Sequence, residues 1–205
     1  GTVIQLSGVG SRRAGLAGKN LLGHGATALL SWGSAGGLVP TLSAGSLVLP
    51  GKVIGADQSP YSTDPAWHER LLDRLKDSVD LHQGSLAESV TALKSPAEKR
   101  ILFERTGAIA VDMESGALAK VAQEAGVPFM AVRAIADSAA MAIPQSPLRA
   151  ADEFGDLSLP TLLTELLRHP SELFDMIRLG WNFRAAQVTL SRVVRLVGTQ
   201  LVMPQ

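Results

Sequence analysis

Residues 107–137, GAIAVDMESGALAKVAQEAGVPFMAVRAIAD, decide the fold. Gly107 to Val111 is a short apolar run with the length of a strand, and Asp112-Met113-Glu114-Ser115 follows it directly. Gly116 to Ala125 has helical composition and is stopped by Gly126, a residue that closes helices because it enters left-handed backbone without strain. Val127 to Ile135 is a second strand, with Pro128 tolerable at its start, and it delivers Asp137 at its carboxyl end. Strand, helix and strand in that order are the unit of a parallel sheet covered by helices, which binds ligands beyond the carboxyl ends of its strands.

The same alternation extends upstream. Thr2 to Ser7 reads as a buried strand, Gly8-Val9-Gly10 as its exit turn, and Ser11 to Leu22 as a helix with Arg12 and Arg13 in its first turn. Ala26 to Trp32 reads as a strand closed by a glycine turn, Gly33 to Gly37, and Ser46 to Pro50 as another short strand. Gly55 to Pro65 is a loop holding Asp57, Tyr61 and Asp64, and a helix through Trp67, Leu71, Leu72 and Leu75 comes next. Pro96 to Arg105 has helical spacing. After Ala151 the pattern changes to two helical stretches, Leu157 to His169 and Pro170 to Gly198, so residues 157–205 read as a helical C-terminal extension. The expectation is one α/β domain over residues 1–205, three-layer α/β/α, with a mostly parallel mixed sheet. Opening on an apolar run without an initiator Met reads as a fold entered after its first strand, or as a processed or disordered N-terminus.

Composition excludes several functions. Lys plus Arg number 19 and Asp plus Glu number 19, so no net charge draws the chain to a nucleic-acid backbone. The absence of Cys removes thiol nucleophiles, disulfides and Cys-based zinc sites, and fits a cytoplasmic protein. Asn20 to Gly51 carries no Lys, Arg, Asp or Glu, but glycines and Pro40 interrupt it, which suits a buried sheet better than a membrane span. Gly8-Val9-Gly10 lacks the third glycine of a dinucleotide fingerprint, having Arg13 there, and no Gly stands two residues before Ser34 as a serine-hydrolase elbow requires. His24, His68, His82 and His169 are scattered without metal-ligand spacing, so no metal site is expected.

Taken in order, Ser7-Gly8-Val9-Gly10, Gly33-Ser34-Ala35-Gly36-Gly37, Val111-Asp112-Met113-Glu114-Ser115 and Arg133-Ala134-Ile135-Ala136-Asp137 resemble the purine nucleoside phosphorylase and methylthioadenosine/S-adenosylhomocysteine nucleosidase superfamily. The resemblance covers roughly residues 2 to 140. It implies that Met113 and Glu114 hold ribose and that Asp137 protonates or holds the purine, with Ser34 and Gly36 near the sugar or the nucleophile. It also implies a homodimer, and work without metal or organic cofactor, phosphate being open as co-substrate. The chemistry suits these residues. The departing base needs a proton at N7, which a carboxylic acid of raised pKa supplies, and burial at a strand end gives Asp137 that shift. The sugar needs an acceptor for two hydroxyls and a counter-charge for its oxocarbenium-like state, and the carboxylate of Glu114 offers both. Val90 to Leu93, with Val90 and Leu93 as its apolar members, is expected to complete the base pocket.

A narrower resemblance points to the hopanoid-associated phosphorylases, through Asp112-Met113-Glu114-Ser115, the stretch from Tyr61 to Trp67 with Asp64, and the Arg- and Leu-rich tail. It implies adenosylhopane, a lipid-linked adenine nucleoside, as substrate, with Tyr61, Trp67 and the tail helices as an apolar wall. The rivals are a general methylthioadenosine or S-adenosylhomocysteine nucleosidase, a purine nucleoside phosphorylase, and a nucleoside-binding module without catalysis. Two departures from the superfamily pattern bear on the nucleophile. Ser31 stands where phosphorylases carry a phosphate-binding Arg, leaving Arg12 and Arg13 as the nearby cations able to attract phosphate. No Asp or Glu precedes Asp57, so the N-terminal Glu of the hydrolytic branch is not matched, and the balance leans to water. Plain readings compete: Glu114 as a helix-N-terminal carboxylate, Asp112 as a structural cap, Gly33 to Gly37 as a tight turn. In the tail, Leu173, Ile177, Trp181 and Phe183 beside Arg178, Arg184, Arg192 and Arg195 give an apolar and a basic face, which packs on the body or a second subunit, or touches a membrane surface.

Overall fold

The computed structural model describes residues 1–143, 172–198 and 201. The expected helix Leu157 to His169 lies outside them. In chain order the elements are α1 (Ser11–Gly23), β1 (Leu29–Gly37), β2 (Leu47–Ile54), β3 (Pro60–Ser62), α2 (Pro65–Leu75), β4 (Leu81–Glu88), α3 (Pro96–Thr106), β5 (Ala110–Asp112), α4 (Ser115–Ala125), β6 (Phe129–Asp137) and α5 (Glu172–Val197).

The six strands form one mixed sheet in the order β3-β2-β4-β5-β1-β6, and β2 also pairs with β6. β1 runs parallel to β6, β2 to β4 and β4 to β5, whereas β5 meets β1, and β2 meets β3 and β6, antiparallel. The extra β2–β6 pairing curls the sheet back on itself, which its twist permits. Alternation then splits the side chains between two layers. Phe129, Ala131 and Ile135 of β6 pack with Leu118, Ala119 and Ala122 of α4, whereas Met130 and Val132 pack with Trp67, Leu71 and Leu75 of α2 and Val193 of α5. The expected three-layer α/β/α arrangement, with its C-terminal helix, is what the chain adopts.

Local sequence explains where the helices begin. Asp64 caps α2 by accepting from the Trp67 amide at 2.7 Å, and Pro65 presets the first turn. Trp67, Leu71 and Leu75 then fall on one stripe and are fully buried. α3 opens with a reciprocal capping box between Ser95 and Glu98 and closes on Gly107 at φ 64°, a left-handed conformation that favours glycine.

Three expectations need correction. Residues 2–7 are not a strand: they pair with no strand among the described residues, and Val3, Ile4 and Leu6 are exposed, since an apolar run becomes a strand only against a partner edge. Gly33 to Gly37 is not a turn but the second half of β1, held straight by its ladder to β6 with a bulge between Ala35 and Gly36. Trp67 is not part of a ligand wall. It is wholly buried and donates its indole N–H to the Leu201 carbonyl at 2.7 Å.

Candidate active site

β6 is buried along its whole length and yet carries Arg133 and Asp137. Arg133 shares with Phe129, Ala131 and Ile135 the face turned toward α4, whereas the register shift between Ala35 and Gly36 interrupts the alternation before Asp137, whose carboxylate pairs with Lys99 of α3. Each lies over a glycine of β1. A Cβ on Gly33 would meet Arg133 Nη1 at 2.5 Å, and a Cβ on Gly36 would meet Asp137 Oδ2 at 3.0 Å and Oδ1 at 3.3 Å. The glycines of β1 are therefore the space in which two charged side chains of the adjacent strand lie flat.

Arg133 organises the junction of β5 and α4. Its Nε faces Asp112 Oδ2 at 2.8 Å as an ion contact, and Nη2 donates to Ser31 Oγ at 2.5 Å and to Ser115 Oγ at 3.0 Å. Nη1 donates to the Ser34 carbonyl at 3.3 Å, and Nη2 stands 4.0 Å from Glu114 Oε2. Ser115 Oγ closes the cluster by donating to Asp112, and it shares a hydrogen bond with Ser31 Oγ at 2.8 Å. Asp112 also accepts from the amides of Glu114 and Ser115, at 3.2 and 3.1 Å, so its structural assignment holds.

Glu114 sits just before α4, its side chain 21% exposed. Its Oε1 accepts the Gly10 amide at 2.9 Å, and Oε2 accepts the Met113 amide at 3.3 Å. Gly10 has φ 100°, a conformation that side-chain-bearing residues rarely adopt, and so the start of α1 can deliver its amide to this carboxylate. Ser11 Oγ donates to the Met113 carbonyl at 3.2 Å and fixes the same junction. Burial raises the Glu114 pKa above its ordinary value, while Arg133 and the Gly10 amide pull the other way.

At the carboxyl end of β6, Asp137 is buried, and burial raises its pKa against the opposing charge of Lys99. Lys99 lies on α3 with 1% of its side chain exposed, paired with Asp137 Oδ2. Its ammonium also donates to the carbonyls of Ser138 at 2.7 Å and Met141 at 3.0 Å. Spacing on α3 had made Lys99 one helix residue among several. Its signal was weak, because Ile101 and Phe103 on the same helix are exposed while Lys99 is not.

Glu88, at the end of β4, also went unmarked. It is 5% exposed and accepts the amides of Ala117 at 3.0 Å and Ala56 at 3.2 Å, anchoring the loop after β2 to the first turn of α4.

The structure therefore sets Met113 and Glu114 at the start of α4 beside Arg133, and Gly36 with Asp137 at the carboxyl ends of β1 and β6 beside Lys99. Ser34 contributes its carbonyl, but alternation puts its hydroxyl on the face of Leu30 and Trp32, and it is Ser31 whose hydroxyl stands beside Arg133 and Ser115. Leu93 packs at the cluster of Leu38, Ile54, Ala87, Leu102 and Val111, while Val90 is 69% exposed. Tyr61 is buried in the core and borders a hollow of about 410 Å³ between β3 and the end of α4. Arg12 and Arg13 line another hollow, of about 380 Å³, with Leu6 and Ser7 beside α1. Neither hollow is lined by Glu114 or Asp137.

Comparison with known proteins agrees with this frame. The family model of the phosphorylase superfamily matches residues 2–163. A 5′-methylthioadenosine/S-adenosylhomocysteine nucleosidase of Anoxybacillus flavithermus is 27% identical over 85% of this chain and 79% of its own length. The crystal structure of S-adenosylhomocysteine nucleosidase from Streptococcus pyogenes in complex with 5-methylthiotubericidin superposes with a TM-score of 0.62 at 27% identity, covering 65% of each chain. The 5′-methylthioadenosine/S-adenosylhomocysteine nucleosidase of Neisseria meningitidis in complex with methylthio-immucillin-A, at 19% identity, shares the fold with a TM-score of 0.70 over 95% of this chain and 79% of its own.

Proposed function

The chain belongs to the phosphorylase superfamily, a family of enzymes, and on that premise we propose that it hydrolyses the N-glycosidic bond of an adenine nucleoside. The observation that carries this reading is a pair of largely buried carboxylates at element ends, Glu114 before α4 beside Arg133 and Asp137 at the carboxyl end of β6 beside Lys99, with Gly33 and Gly36 of β1 leaving room for the side chains of Arg133 and Asp137.

In this reading Glu114 accepts hydrogen bonds from the 2′ and 3′ hydroxyls, its lone pairs beyond those used by the Gly10 and Met113 amides being available. Its charge favours the oxocarbenium-like sugar. Asp137 gives its proton to N7 as the C1′–N9 bond breaks and its electron pair passes to the purine. Water adds to C1′, and the proton it sheds restores the acid through solvent. Met113 supports the ribose from the same junction.

Water rather than phosphate is favoured by charge. The buried cation beside Glu114 is Arg133, and it already faces Asp112 at 2.8 Å and Glu114 at 4.0 Å, so the formal charge of the three is −1. A phosphate dianion meets net repulsion there. Incubating the protein with an adenine nucleoside, with and without phosphate, tests the assignment. Free adenine and free sugar in both conditions are expected. A sugar 1-phosphate refutes hydrolysis, and tight binding without adenine release supports the binding-module alternative.

For the 5′ substituent we assign a pentacyclic lipid, as in adenosylhopane, placing the chain in hopanoid biosynthesis. The support is the resemblance in Asp112 to Ser115 and the tail, together with the exposed Phe174, Ile177 and Trp181 of α5 beside Arg178. Tyr61 and Trp67 no longer contribute, being in the core. Turnover of adenosylhopane should exceed that of methylthioadenosine, and the reverse order refutes the lipid assignment. The same face of α5 is where we place a second subunit or a membrane surface. Among the described residues no helix is long and apolar enough to cross a membrane. Trp181→Ala should weaken dimerisation in sedimentation or binding to anionic liposomes, and no change in either removes the face from both roles.

A further inference from the structure

Lys99 is the largest buried charge that the proposed chemistry leaves unused. It is 1% exposed, on a helix whose neighbours Ala97, Glu98 and Arg100 are exposed. A buried ammonium is stable only when its three hydrogens find acceptors and a counter-charge stands close. Lys99 meets both conditions, donating to Asp137 Oδ2 and to the carbonyls of Ser138 and Met141. The Ile143 amide donates to the Lys94 carbonyl at 3.0 Å, so the segment after β6 is tied both to α3 and to the residues just before it.

The consequence is geometric. Oδ2 of Asp137 is taken by an N–H donor, whereas Oδ1 accepts nothing among the described residues. A proton placed on Oδ2 would face the ammonium, so the carboxyl can carry its proton only on Oδ1. Gly36 leaves the carboxyl room to lie flat, with Val111 on its other side. Among the described residues Lys99 is the charged group in contact with Asp137; Arg133 lies four residues earlier on β6 and pairs with Asp112 and Glu114 instead.

We propose that Lys99 is a positioning residue for the acid: it occupies Oδ2 and so directs the proton of Asp137 onto Oδ1, toward the base, while fixing the segment that follows β6. This rests on the reading of Asp137 as the residue that serves the purine. A second effect follows. Burial makes Asp137 a weaker acid, and the charge and hydrogen bond of Lys99 oppose that rise.

The test has a readout that needs no substrate. In wild-type protein carrying ¹³C-labelled Asp and ¹⁵N-labelled Lys, the Lys99 ammonium resonance should move as the Asp137 carboxyl titrates, because the two groups are in contact. In Lys99→Met the Asp137 midpoint should rise by about one unit or more, as loss of an adjacent opposite charge dictates. Turnover of an adenine nucleoside should follow: the descending limb of the pH profile moves to higher pH. kcat should fall ~10-fold or more, the scale of a misplaced general acid, with KM little changed. Lys99→Arg, which keeps the cation, should retain the wild-type limb. A Lys99 resonance blind to Asp137 titration in the wild type, or an unmoved limb and midpoint in folded Lys99→Met, overturns the inference. If the wild type releases no adenine while the two resonances stay coupled, the function fails and the pairing stands.

Discussion

Replacing Arg133 by Met separates architecture from catalysis most sharply. Arg133 is 4% exposed and lies 2.8 Å from Asp112 and 4.0 Å from Glu114. At an effective dielectric near 20 the gross attractions are ~6 kcal/mol for the first pair and ~4 kcal/mol for the second. Most of that is offset by the desolvation of three charges. What remains on truncation is the cost of an abandoned buried carboxylate, about 3–5 kcal/mol, because the Asp112 side chain is only 1% exposed. Ser31, Ser115 and the Ser34 carbonyl lose a partner as well. Urea unfolding at neutral pH should register that loss. The pH profile should register a second effect. Arg133 lowers the Glu114 pKa against the larger raising effect of burial, so its removal pushes Glu114 further up. If ionised Glu114 grips the sugar, the ascending limb of activity moves to higher pH. A folded Arg133→Met variant with wild-type stability and an unmoved limb would refute the reasoning at both points.

Glu114→Gln should abolish most activity without destabilising the fold. The folded pKa of Glu114 is raised, so its contribution to stability is present below the unfolded value and is lost as pH rises through the folded one. The variant should therefore show a flatter stability curve as pH rises above about 4 in thermal scans. Gly36→Ala adds a Cβ 3.0 Å from Asp137 Oδ2 and 3.3 Å from Val111 Cγ1. Stability should fall by about 1–3 kcal/mol, and kcat by ~100-fold if the carboxyl shifts by an ångström. Trp67→Phe removes the donor to the Leu201 carbonyl and should cost about 1–3 kcal/mol, seen as a lower Tm, with kcat/KM on an adenine nucleoside intact. A selective loss of lipid-nucleoside turnover in that variant would restore Trp67 to the substrate wall.

The α/β alternation from Ser46 onward was legible because its elements carry local signals: Asp64 and Pro65 before α2, Ser95 with Glu98 before α3, Gly126 after α4. β4 gave no such signal. Its sequence, LHQGSLAE, mixes His, Gln, Gly and Ser and becomes a strand through parallel pairing with β2 and β5, a tertiary effect. Gly33 to Gly37 misled for the opposite reason: glycines that usually mark a turn are here required by the side chains of Arg133 and Asp137 crossing β1. Of the candidate site, Glu114 and Asp137 could be picked out as acids at element ends. Lys99 and Glu88 could not, since burial of a charge is set by what packs around it from distant parts of the chain. Trp67 and Tyr61 were drawn outward by their chemistry, although the helical stripe with Leu71 and Leu75 already put Trp67 inside.

A crystal structure with an uncleavable adenine-nucleoside analogue puts the account to its most direct test. The ribose hydroxyls should lie ~2.6–3.2 Å from Glu114 and the purine N7 at the same distance from Asp137 Oδ1. An analogue bound in the hollow beside Tyr61, or touching one of the two carboxylates without the other, would contradict it.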